Sequence, residues 1–309
     1  MPIERVDVLV VGGGPVGLFV AALLAAQGVD VRVWERRDEP PTGSRAIGIH
    51  PPSLDAFAAI GLDTAVLAEA SLVRAGVARS RGRTLGTLRF DRASPTHPYV
   101  ATLDQHRTES LLRDRLHTGA PEALRTGTAL TALTRHTDHV DATGSGPDGD
   151  VVTVRAAFVV GADGARSVVR DLLGIGTTGR EYPDRYVMGD FADPEAPSAR
   201  SAALVDVGPD GVVESFPLPG ARRRYVALVP DDAAFAAAER GATGDPDPAL
   251  VARLAALVAE RTGVVPDPAT CSMTSGFRVR RRTADRVGAG RVVLVGDAAH
   301  EISPIGGQG

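Results

Sequence analysis

The sequence is poor in several residue types, and each shortage narrows what the protein can be. It has one cysteine, Cys271, which excludes an intramolecular disulfide and a metal site built from several cysteines. It has no lysine, and its net charge of −4 gives no reason to expect nucleic acid or an anionic membrane as a partner. The longest apolar run, residues 18–26, is too short to cross a bilayer, and no early stretch resembles a secretory signal. A cytoplasmic location is therefore predicted.

The most informative part of the sequence is its first forty residues. A short apolar run, Val6–Val11, has the pattern of a strand that is buried on both faces. It leads into Gly-Gly-Gly-Pro-Val-Gly at residues 12–17, which contains G-x-G-x-x-G, and then into good helix formers closed by Gly28. A second strand, Val29–Trp34, is followed by the acid Glu35. Together these features predict a βαβ unit that binds a dinucleotide.

Each part of this unit has a physical task. Gly12 permits a tight turn, Gly14 has no Cβ to hold a pyrophosphate away from the backbone, and Gly17 lets helix and strand pack closely. The helix N-terminus offers unpaired N–H groups and a partial positive charge to phosphates. Glu35 stands where its carboxylate can accept hydrogen bonds from ribose hydroxyls. The alternative is a tight βα turn in some other α/β protein.

The length and the pattern of the chain predict an α/β fold with about two domains. After Gly174 the βαβ rhythm stops, and strands without intervening helices predict a separate, mostly antiparallel sheet. The predicted strands of this sheet are Arg185–Phe191, Ala202–Val207, Val212–Pro217 and Arg224–Pro230.

Two later segments place an acid just after a buried strand. Ala157–Val160 runs into Gly-Ala-Asp-Gly, which contains Asp163, and Arg291–Val295 runs into Gly-Asp-Ala-Ala-His, which contains Asp297. A strand that ends in this way presents a carboxylate at the carboxyl edge of a sheet, where α/β proteins bind ligands. The Gly-Gly-Gln-Gly run at residues 306–309 would let backbone N–H groups approach a flat ring. For either acid alone, the alternative is a loop residue that caps the next helix.

In this order, the three segments resemble the three fingerprints of the FAD-dependent class A aromatic hydroxylases. That family includes p-hydroxybenzoate and phenol hydroxylases, rifampicin monooxygenases and polyketide hydroxylases. The resemblance covers nearly the whole chain, and residues 44–51, Ser-Arg-Ala-Ile-Gly-Ile-His-Pro, are especially similar to the rifampicin and polyketide branch. It implies a Rossmann-like FAD-binding domain and a second, mostly antiparallel β-sheet domain for the substrate. The predicted boundaries are 1–73, 98–177 and 276–309 for the first domain, and 74–97 and 178–275 for the second.

The resemblance also implies which residues hold FAD. Glu35 would bind the adenosine ribose, and Arg45 and Gln105 would contact the FAD ribose and pyrophosphate. Asp163 matches an aspartate associated with the FAD phosphates and with NAD(P)H, and Asp297 matches one that hydrogen-bonds the ribityl hydroxyls. The full predicted set of cofactor-binding residues is Gly12, Gly14, Pro15, Val16, Gly17, Glu35, Arg36, Arg45, Gln105, Asp163, Gly164, Asp297, Pro304, Gly306 and Gly307. The last three of these would lie along the flavin ring.

The activity that the resemblance implies is hydroxylation of an aromatic substrate. NADH or NADPH would reduce FAD, and the reduced flavin would take up O2 as a C4a-hydroperoxide that transfers oxygen to a phenolic, polyketide or antibiotic-like ring. The sequence identifies no catalytic acid or base. Members of the family continue past Gly-Gly-Gln-Gly with a helix that closes the flavin site, so a C-terminal part is expected to be missing. The alternatives are an FAD-binding half or inactive fragment that needs this further segment, and a flavin-dependent reductase of the same superfamily. A homodimer also stays open.

The histidines and the arginine runs carry weaker signals. His136 and His139, like His50, His97, His106 and His117, are expected to be surface or capping residues and not metal ligands, and no metal is predicted. The runs at residues 222–224 and 280–282 consist of arginine and could attract a nicotinamide phosphate. A solvated face is the favoured interpretation of both runs.

Overall fold

A computed structural model gives the fold and describes residues 3–40, 46–193, 201–229 and 246–302. The strands in these residues are β1 (Glu4–Val11), β2 (Val31–Trp34), β3 (Gly48–Ile49), β4 (Ser71–Val73), β5 (Ala75–Ser80), β6 (Arg83–Arg89), β7 (Val100–Thr102), β8 (Leu124–Arg125), β9 (Ala129–Arg135), β10 (Val140–Ser145), β11 (Val151–Gly161), β12 (Thr177–Ala192), β13 (Ala202–Gly208), β14 (Gly211–Leu218), β15 (Arg222–Val229), β16 (Met273–Ala284), β17 (Gly288–Ala289), β18 (Val292–Leu294) and β19 (His300–Glu301). The α-helices are α1 (Pro15–Ala26), α2 (Pro51–Ala58), α3 (Asp63–Glu69), α4 (Gln105–Gly119), α5 (Val168–Leu172) and α6 (Pro248–Thr262). Short 3₁₀ turns cover Pro268–Thr270 and Gly296–Ala298.

The first sheet is built around β1, the apolar run that the sequence predicts as a buried strand. Leu9 and Val10 are fully buried, and β1 pairs in parallel with β2 on one side and with β11 on the other. The order across the sheet is β17-β18-β11-β1-β2-β8, and the hairpin of β9 and β10 adds to the first half of β11. Parallel strands are covered on both faces, which explains why residues 8–11 are all apolar.

Helix α1 covers one face of this sheet. Pro15 occupies its first position, where a missing N–H breaks no hydrogen bond, and the alanine- and leucine-rich sequence after it favours a helix. Leu18 and Ala21 are fully buried in a core that includes Leu112 of α4. Gly28 follows the helix with a φ of 78°, a left-handed conformation that glycine adopts at little cost. The predicted α/β class with a Rossmann-like βαβ unit is confirmed.

The second large sheet has the strand order β19-β16-β12-β15-β14-β13-β5-β6. Its described pairs are antiparallel except for β13 with β5, so the predicted mostly antiparallel sheet is confirmed. Strand β12 begins at Thr177, well before the predicted start at Arg185, because it pairs with β16 on both sides of a bulge that begins after Glu181. Gly179 and Pro183 conceal this longer strand in the sequence, since both residue types usually interrupt a sheet.

Helix α6 covers one face of the second sheet. The Asp247 carboxylate caps the helix by accepting a hydrogen bond from the N–H of Ala249, and Gly263 ends it with a φ of 78°. Leu254 and Val258 are fully buried against apolar residues of β12, β14 and β15. The amphipathic pattern predicted for residues 247–261 therefore packs its apolar face on the sheet.

A three-stranded sheet, β3-β7-β4, packs against residues of both large sheets. Thr102 of β7 donates from Oγ1 to the carbonyl oxygen of Pro217 on β14, at 2.5 Å. Asp104, just before α4, accepts a hydrogen bond from Arg222 of β15 at 2.7 Å. These contacts hold the start of α4 against the second sheet. The domain boundaries predicted from the sequence stay a prediction.

Candidate functional site

Four parallel strands end in one row, and each predicted motif leaves the first sheet from this row. Val11 of β1 is paired with Trp34 of β2 and with Gly161 of β11. Gly161 is in turn paired with Leu294 of β18. The glycine turn, Glu35 and the two later acidic segments therefore meet at the carboxyl edge of the sheet, the usual ligand-binding edge of α/β proteins.

The glycine turn has no room for a side chain at two of its positions. Gly12 has a φ of 109°, and a Cβ there would overlap the carbonyl oxygen of Ala162. A Cβ on Gly17 would overlap the carbonyl oxygen of Gly12. Both positions require glycine, because helix α1, strand β1 and the loop after β11 approach one another through their backbones.

The N-terminus of α1 has the openness that a phosphate site needs. A Cβ on Gly14 would meet no atom within 4 Å. No described side chain caps this helix, Pro15 has no N–H, and Val16 is exposed. The first N–H groups and the positive end of the helix dipole are thus left for a ligand. A Cβ on Gly296 would lie 3.1 Å from Val16, which brings the third motif to the same helix end.

Glu35 is 5 % exposed, and its carboxylate is held in place by its neighbours. Oε2 accepts a hydrogen bond from the N–H of Gly13 at 2.7 Å. Oε1 accepts one from the N–H of Arg37 at 3.0 Å and one from Arg37 Nε at 3.1 Å. Burial by itself raises the pKa of Glu35, but the hydrogen bonds from Arg37 and Gly13 and the charge of Arg37 outweigh it, so the pKa is lowered. Arg36, which belongs to the predicted set, is exposed beside these contacts.

Helix α4 carries three polar residues at four-residue spacing, and the last of them contacts the glycine turn. Gln105, at the first helical position, donates from Nε2 to Oε1 of the buried Glu109 at 2.8 Å. Arg113 donates from Nη2 to the carbonyl oxygen of Gly13 at 3.3 Å, and its buried Nε has no hydrogen-bond partner in the described chain. The predicted set contains Gln105 and omits Glu109 and Arg113. Their positions on one face of a helix were the signal that could have identified them.

Asp163 acts as a helix cap. Its Oδ1 accepts a hydrogen bond from the Ser167 hydroxyl at 2.5 Å, and its Oδ2 accepts one from the N–H of Val169 at 3.0 Å. Ser167 itself accepts a hydrogen bond from the N–H of Arg170. These contacts give Asp163 the capping role that the sequence left open as an alternative, and its contact with a cofactor stays a prediction. Gly164 has a φ of 81°, and a Cβ there would meet no atom within 4 Å.

Arg170 joins the second motif to the third. Its Nη2 donates to the carbonyl oxygen of Ala165 at 2.9 Å, and its Nη1 donates to the carbonyl oxygen of Ala298 at 3.2 Å. The guanidinium therefore holds the loop after β11 against the loop after β18. The predicted set omits Arg170, because no spacing in the sequence relates residue 170 to residue 298.

Asp297 is an acid that the described part of the chain leaves without a hydrogen-bond partner. The residue is exposed, yet the protein atoms around its carboxyl displace water and raise its pKa, against the opposing effect of the His300 charge. A carboxylate in this position is available to the hydroxyl groups of a ligand.

The described residues fit an extended dinucleotide. Glu35 offers acceptors at one end of the row, the N-terminus of α1 offers a phosphate site, and Asp297 offers acceptors from the third motif. The remaining members of the predicted set, Arg45, Pro304, Gly306 and Gly307, lie outside the described residues.

The arginine run of β15, residues 222–224, does not form the solvated face that the sequence predicts. Arg223 and Arg224 are 1 % and 2 % exposed, so the expectation of a solvated face was wrong for them. Arg224 donates two hydrogen bonds to Asp190, at 2.7 and 2.8 Å, and Arg223 donates one to Asp193 at 3.1 Å. The reason is that acids on or just after the neighbouring strand β12 neutralise both guanidinium groups inside the protein.

Two histidines come together with an acid at the hairpin of β9 and β10. Ligand atoms of His136, His139 and Asp141 lie within 4.8 Å of one another. Arg155 already holds both oxygens of Asp141, at 2.8 and 3.0 Å, which places a positive charge at this carboxylate. The prediction that these histidines bind no metal stays a prediction.

Among the described helices, none combines the length and the apolar character needed to cross a membrane.

Comparison with known proteins agrees with this geometry. Residues 5–309 match the family model described as FAD binding domain. The chain is 35% identical over 308 residues to 6-methylpretetramide 4-monooxygenase of Streptomyces rimosus, covering 98% of this chain and 52% of the relative. It is 32% identical over 311 residues to rifampicin monooxygenase of Streptomyces venezuelae, covering 98% of this chain and 60% of the relative.

A solved structure shows the same fold. The chain aligns with p-nitrophenol 4-monooxygenase from Pseudomonas putida at a TM-score of 0.82 and 26% identity, covering 99% of this chain and 76% of that chain. The chain thus spans between about half and three-fifths of the length of the two curated relatives. It belongs to the FAD binding domain family, and its resemblance to the FAD-dependent aromatic hydroxylases is confirmed.

Proposed function

We propose that the chain binds FAD at the carboxyl edge of the first sheet and serves an NAD(P)H-consuming aromatic monooxygenase. The proposal rests on one observation, the meeting of three motif segments and Glu35 at the ends of four adjacent parallel strands. A single glycine turn occurs in many α/β proteins. The combination of a ribose acceptor, an open helix N-terminus and an unpaired acid in one row is what favours a flavin dinucleotide.

Each residue in this row has a proposed task. The pyrophosphate lies at Gly14 and the N-terminus of α1, where the space is open. Glu35 accepts hydrogen bonds from the adenosine ribose with the lone pairs that Gly13 and Arg37 leave unused. Asp297 accepts hydrogen bonds from the ribityl hydroxyls. The family resemblance supports contacts of Arg45 and Gln105 with the ribose and pyrophosphate, and of residues 304–307 with the ring.

Bound FAD would supply the redox chemistry, with NADH or NADPH as the reductant and O2 as the source of the oxygen atom transferred to an aromatic ring. The chain's own residues orient the cofactor, and the second sheet supplies the substrate side. The names of the relatives that act on 6-methylpretetramide and rifampicin support an aromatic substrate of the polyketide or antibiotic type. The division into an FAD-binding domain and a substrate domain, with the boundaries given above, is part of the same proposal.

The test is the visible spectrum of the purified chain after incubation with FAD and desalting. We expect a retained oxidised-flavin spectrum. Gly14→Leu fills the open space at the helix N-terminus and should abolish retention. The control is Gly86→Leu on β6, where a side chain would also meet no atom within 4 Å. A folded wild-type chain that stays colourless would contradict the proposal.

The length of the relatives supports a second candidate function. Because the chain covers 52% and 60% of the two curated relatives, it can also be an FAD-binding part that needs further sequence for turnover. Retained FAD without NAD(P)H oxidation in the presence of phenols favours this second candidate. Oxidation coupled to a hydroxylated product favours the monooxygenase, and oxidation without such a product favours a flavin-dependent reductase.

A further inference from the structure

Glu214 is a buried acid whose carboxyl is satisfied by no described residue. It lies on β14 and is 7 % exposed, and it makes no hydrogen bond or ion pair with another described side chain or with the described backbone through that carboxyl. Burial raises its pKa, and no cation opposes the effect. Its oxygens are not among the fully buried side-chain atoms of the described residues that lack a hydrogen-bond partner, so the carboxyl keeps contact with solvent. The carboxyl is therefore open to a hydrogen bond from a ligand.

Strand alternation places Glu214 on the face of the second sheet that lies opposite α6. Its neighbour Val213 points the other way and packs in the same core as Leu254 of α6. Across the sheet, Glu214 is paired with Val226 of β15, and Val226 is paired with Met188 of β12. Glu214, Val226 and Met188 thus form one row across this face.

The surroundings of Glu214 on this face are aromatic and aliphatic. Tyr186 and Phe277 stack with their ring centroids 5.4 Å apart. Tyr186 lies two residues from Met188 on β12, so it shares the face of Glu214. Burial raises the pKa of Tyr186, and the charges of Asp184 and Glu214 raise it further. The cluster also contains Met188, Val226 and Val279, with Tyr182, Val212, Phe216, Leu228 and Met273 packed against it. The next row of the same face, beside Phe216, holds Arg224 and Asp190, which pair with each other. A wall that is mostly aromatic and aliphatic, with a few polar groups, is typical of a site for a flat apolar ligand.

The same face meets the proposed cofactor site. Phe216, which lies two residues from Glu214 on β14, packs with Val73 and Val100 of the small sheet. Arg222, the first residue of β15, forms an ion pair with Asp104, the residue immediately before α4 and Gln105. A molecule bound on this face would therefore lie between the second sheet and the edge where we place FAD.

We propose that Glu214 binds a hydroxyl group of the aromatic substrate while the substrate ring lies against Tyr186 and Phe277. This inference rests on the proposed function, from which it takes the aromatic class of the ligand. The Glu214 carboxyl, which has no hydrogen-bond partner among the described residues, accepts the hydrogen bond of the hydroxyl. An analogue without the hydroxyl leaves the carboxyl unpaired and binds more weakly, so Glu214 selects for hydroxylated rings.

The test measures binding of 1-naphthol and of 1-methoxynaphthalene to the full chain, in the presence of FAD, by isothermal titration calorimetry. The variants are Glu214→Leu and Glu214→Gln. The control is Asp210→Asn, which removes an exposed acid from the turn that leads into β14. We expect Glu214→Leu to weaken 1-naphthol binding by about 10-fold or more and to leave 1-methoxynaphthalene binding unchanged. Glu214→Gln should have a smaller effect on 1-naphthol, and the control should have none.

A second readout separates a ligand-binding role from a structural one. Without ligand, Glu214→Leu should raise the Tm, because it removes an unpaired buried acid; a carboxylate that supports the fold would give a lower Tm. Equal 1-naphthol affinity in wild type and Glu214→Leu would overturn the proposal, as would a wild type that does not bind 1-naphthol. If the protein retains FAD but gives either of these two 1-naphthol results, the inference about Glu214 fails and the FAD assignment stands. If FAD is lost while 1-naphthol binding still depends on Glu214, the FAD assignment fails alone.

Discussion

Glu35 and Glu214 are buried to nearly the same degree, at 5 % and 7 % exposure, yet their pKa values move in opposite directions. Burial raises the pKa of both carboxyls. At Glu35, hydrogen bonds from Arg37 and Gly13 and the charge of Arg37 overcome burial and lower the pKa. At Glu214 nothing opposes burial, and the pKa is raised. The presence of hydrogen-bond donors is thus the difference that decides which form of a buried carboxyl is favoured.

Under the two proposals, the contrast reflects two ways in which this chain prepares a site. Around Glu35 the backbone and the Arg37 side chain supply the donors, so the carboxylate is ionised and oriented before a ligand arrives. Around Glu214 the carboxyl is left incomplete at a cost in stability, and such local conflicts are typical of functional positions. The first arrangement suits a cofactor that stays bound, and the second suits a substrate that must enter and leave.

The largest loss of stability is expected when the Asp190 carboxylate is removed, because this carboxylate is paired more completely than that of Glu35. Asp190 and Arg224 are each 2 % exposed and share two short hydrogen bonds. Asp190→Ala removes the acceptor of two hydrogen bonds from a buried guanidinium and should lower the free energy of unfolding by about 3–5 kcal/mol, measured by urea denaturation. Asp91→Ala, which breaks an exposed pair with Arg89, is the control and should give no measurable change. Equal losses in the two variants would contradict the link between burial and the effect of pairing.

The next prediction distinguishes two properties of the glycine turn: its tight packing at Gly17 and its open space at Gly14. A Cβ on Gly17 would overlap the Gly12 carbonyl oxygen, so Gly17→Ala should lower the free energy of unfolding by about 3 kcal/mol. Gly14→Ala should change it by only a few tenths of a kcal/mol, because its Cβ meets no protein atom. Gly14→Ala should nevertheless weaken FAD binding, which fluorescence titration with FAD measures. Equal stability losses for the two variants would show that the turn is not packed as described.

Glu35→Gln tests the donors around the first glutamate. Because the pKa of Glu35 is lowered, its stabilising contribution is complete above its ordinary pKa of 4.5 and is lost as the pH falls through the lowered value. At neutral pH the variant should be less stable by about 2 kcal/mol, since hydrogen bonds to an ionised group are lost. Urea denaturation between acidic and neutral pH should show the two proteins converging at low pH. A constant difference across the whole range would exclude ionisation as its cause.

Glu214→Gln should have the smallest effect on the free energy of unfolding, and it should raise this free energy where the other variants lower it. The unfolded chain loses this proton near the ordinary pKa of 4.5, whereas the folded chain keeps it to higher pH, so wild-type stability falls as the pH rises through that interval. The variant should therefore become more stable than wild type by about 1 kcal/mol above the raised pKa, and should match it at low pH. The same urea series measures this, with Tyr186 and Asp184 unchanged in both proteins. A variant that is less stable at neutral pH would show that Glu214 has a partner in the folded chain.

Much of the fold and of the candidate site follows from the sequence because the signals are local. The β-branched run of β1, the glycine turn and Glu35 lie within one βαβ unit, and local spacing fixes where each part falls. Asp163 and Asp297 follow strands that end in the same row, so the rule for the carboxyl edge of a parallel sheet brings them together.

The remaining features depend on contacts between residues that are far apart in sequence. The link of Arg170 to Ala298 and the contact of Arg113 with Gly13 exist because separate loops converge after folding. The burial of Arg224 depends on Asp190 of another strand, and no pattern within the arginine run predicts this burial. Glu214 likewise resembles an ordinary strand acid until the pairing of β14 with β15 places it in an apolar face.

The most direct test of the difference between Glu35 and Glu214 measures the affinities of both FAD and 1-naphthol for each of the two variants, Glu35→Gln and Glu214→Gln. We predict that Glu35→Gln weakens FAD binding by about 10-fold and leaves 1-naphthol binding unchanged, because it disturbs the ribose acceptor only. Glu214→Gln should weaken 1-naphthol binding and leave FAD binding unchanged. If each variant weakens both ligands to the same extent, or neither variant affects either ligand, then the two glutamates do not serve separate sites and the account is contradicted.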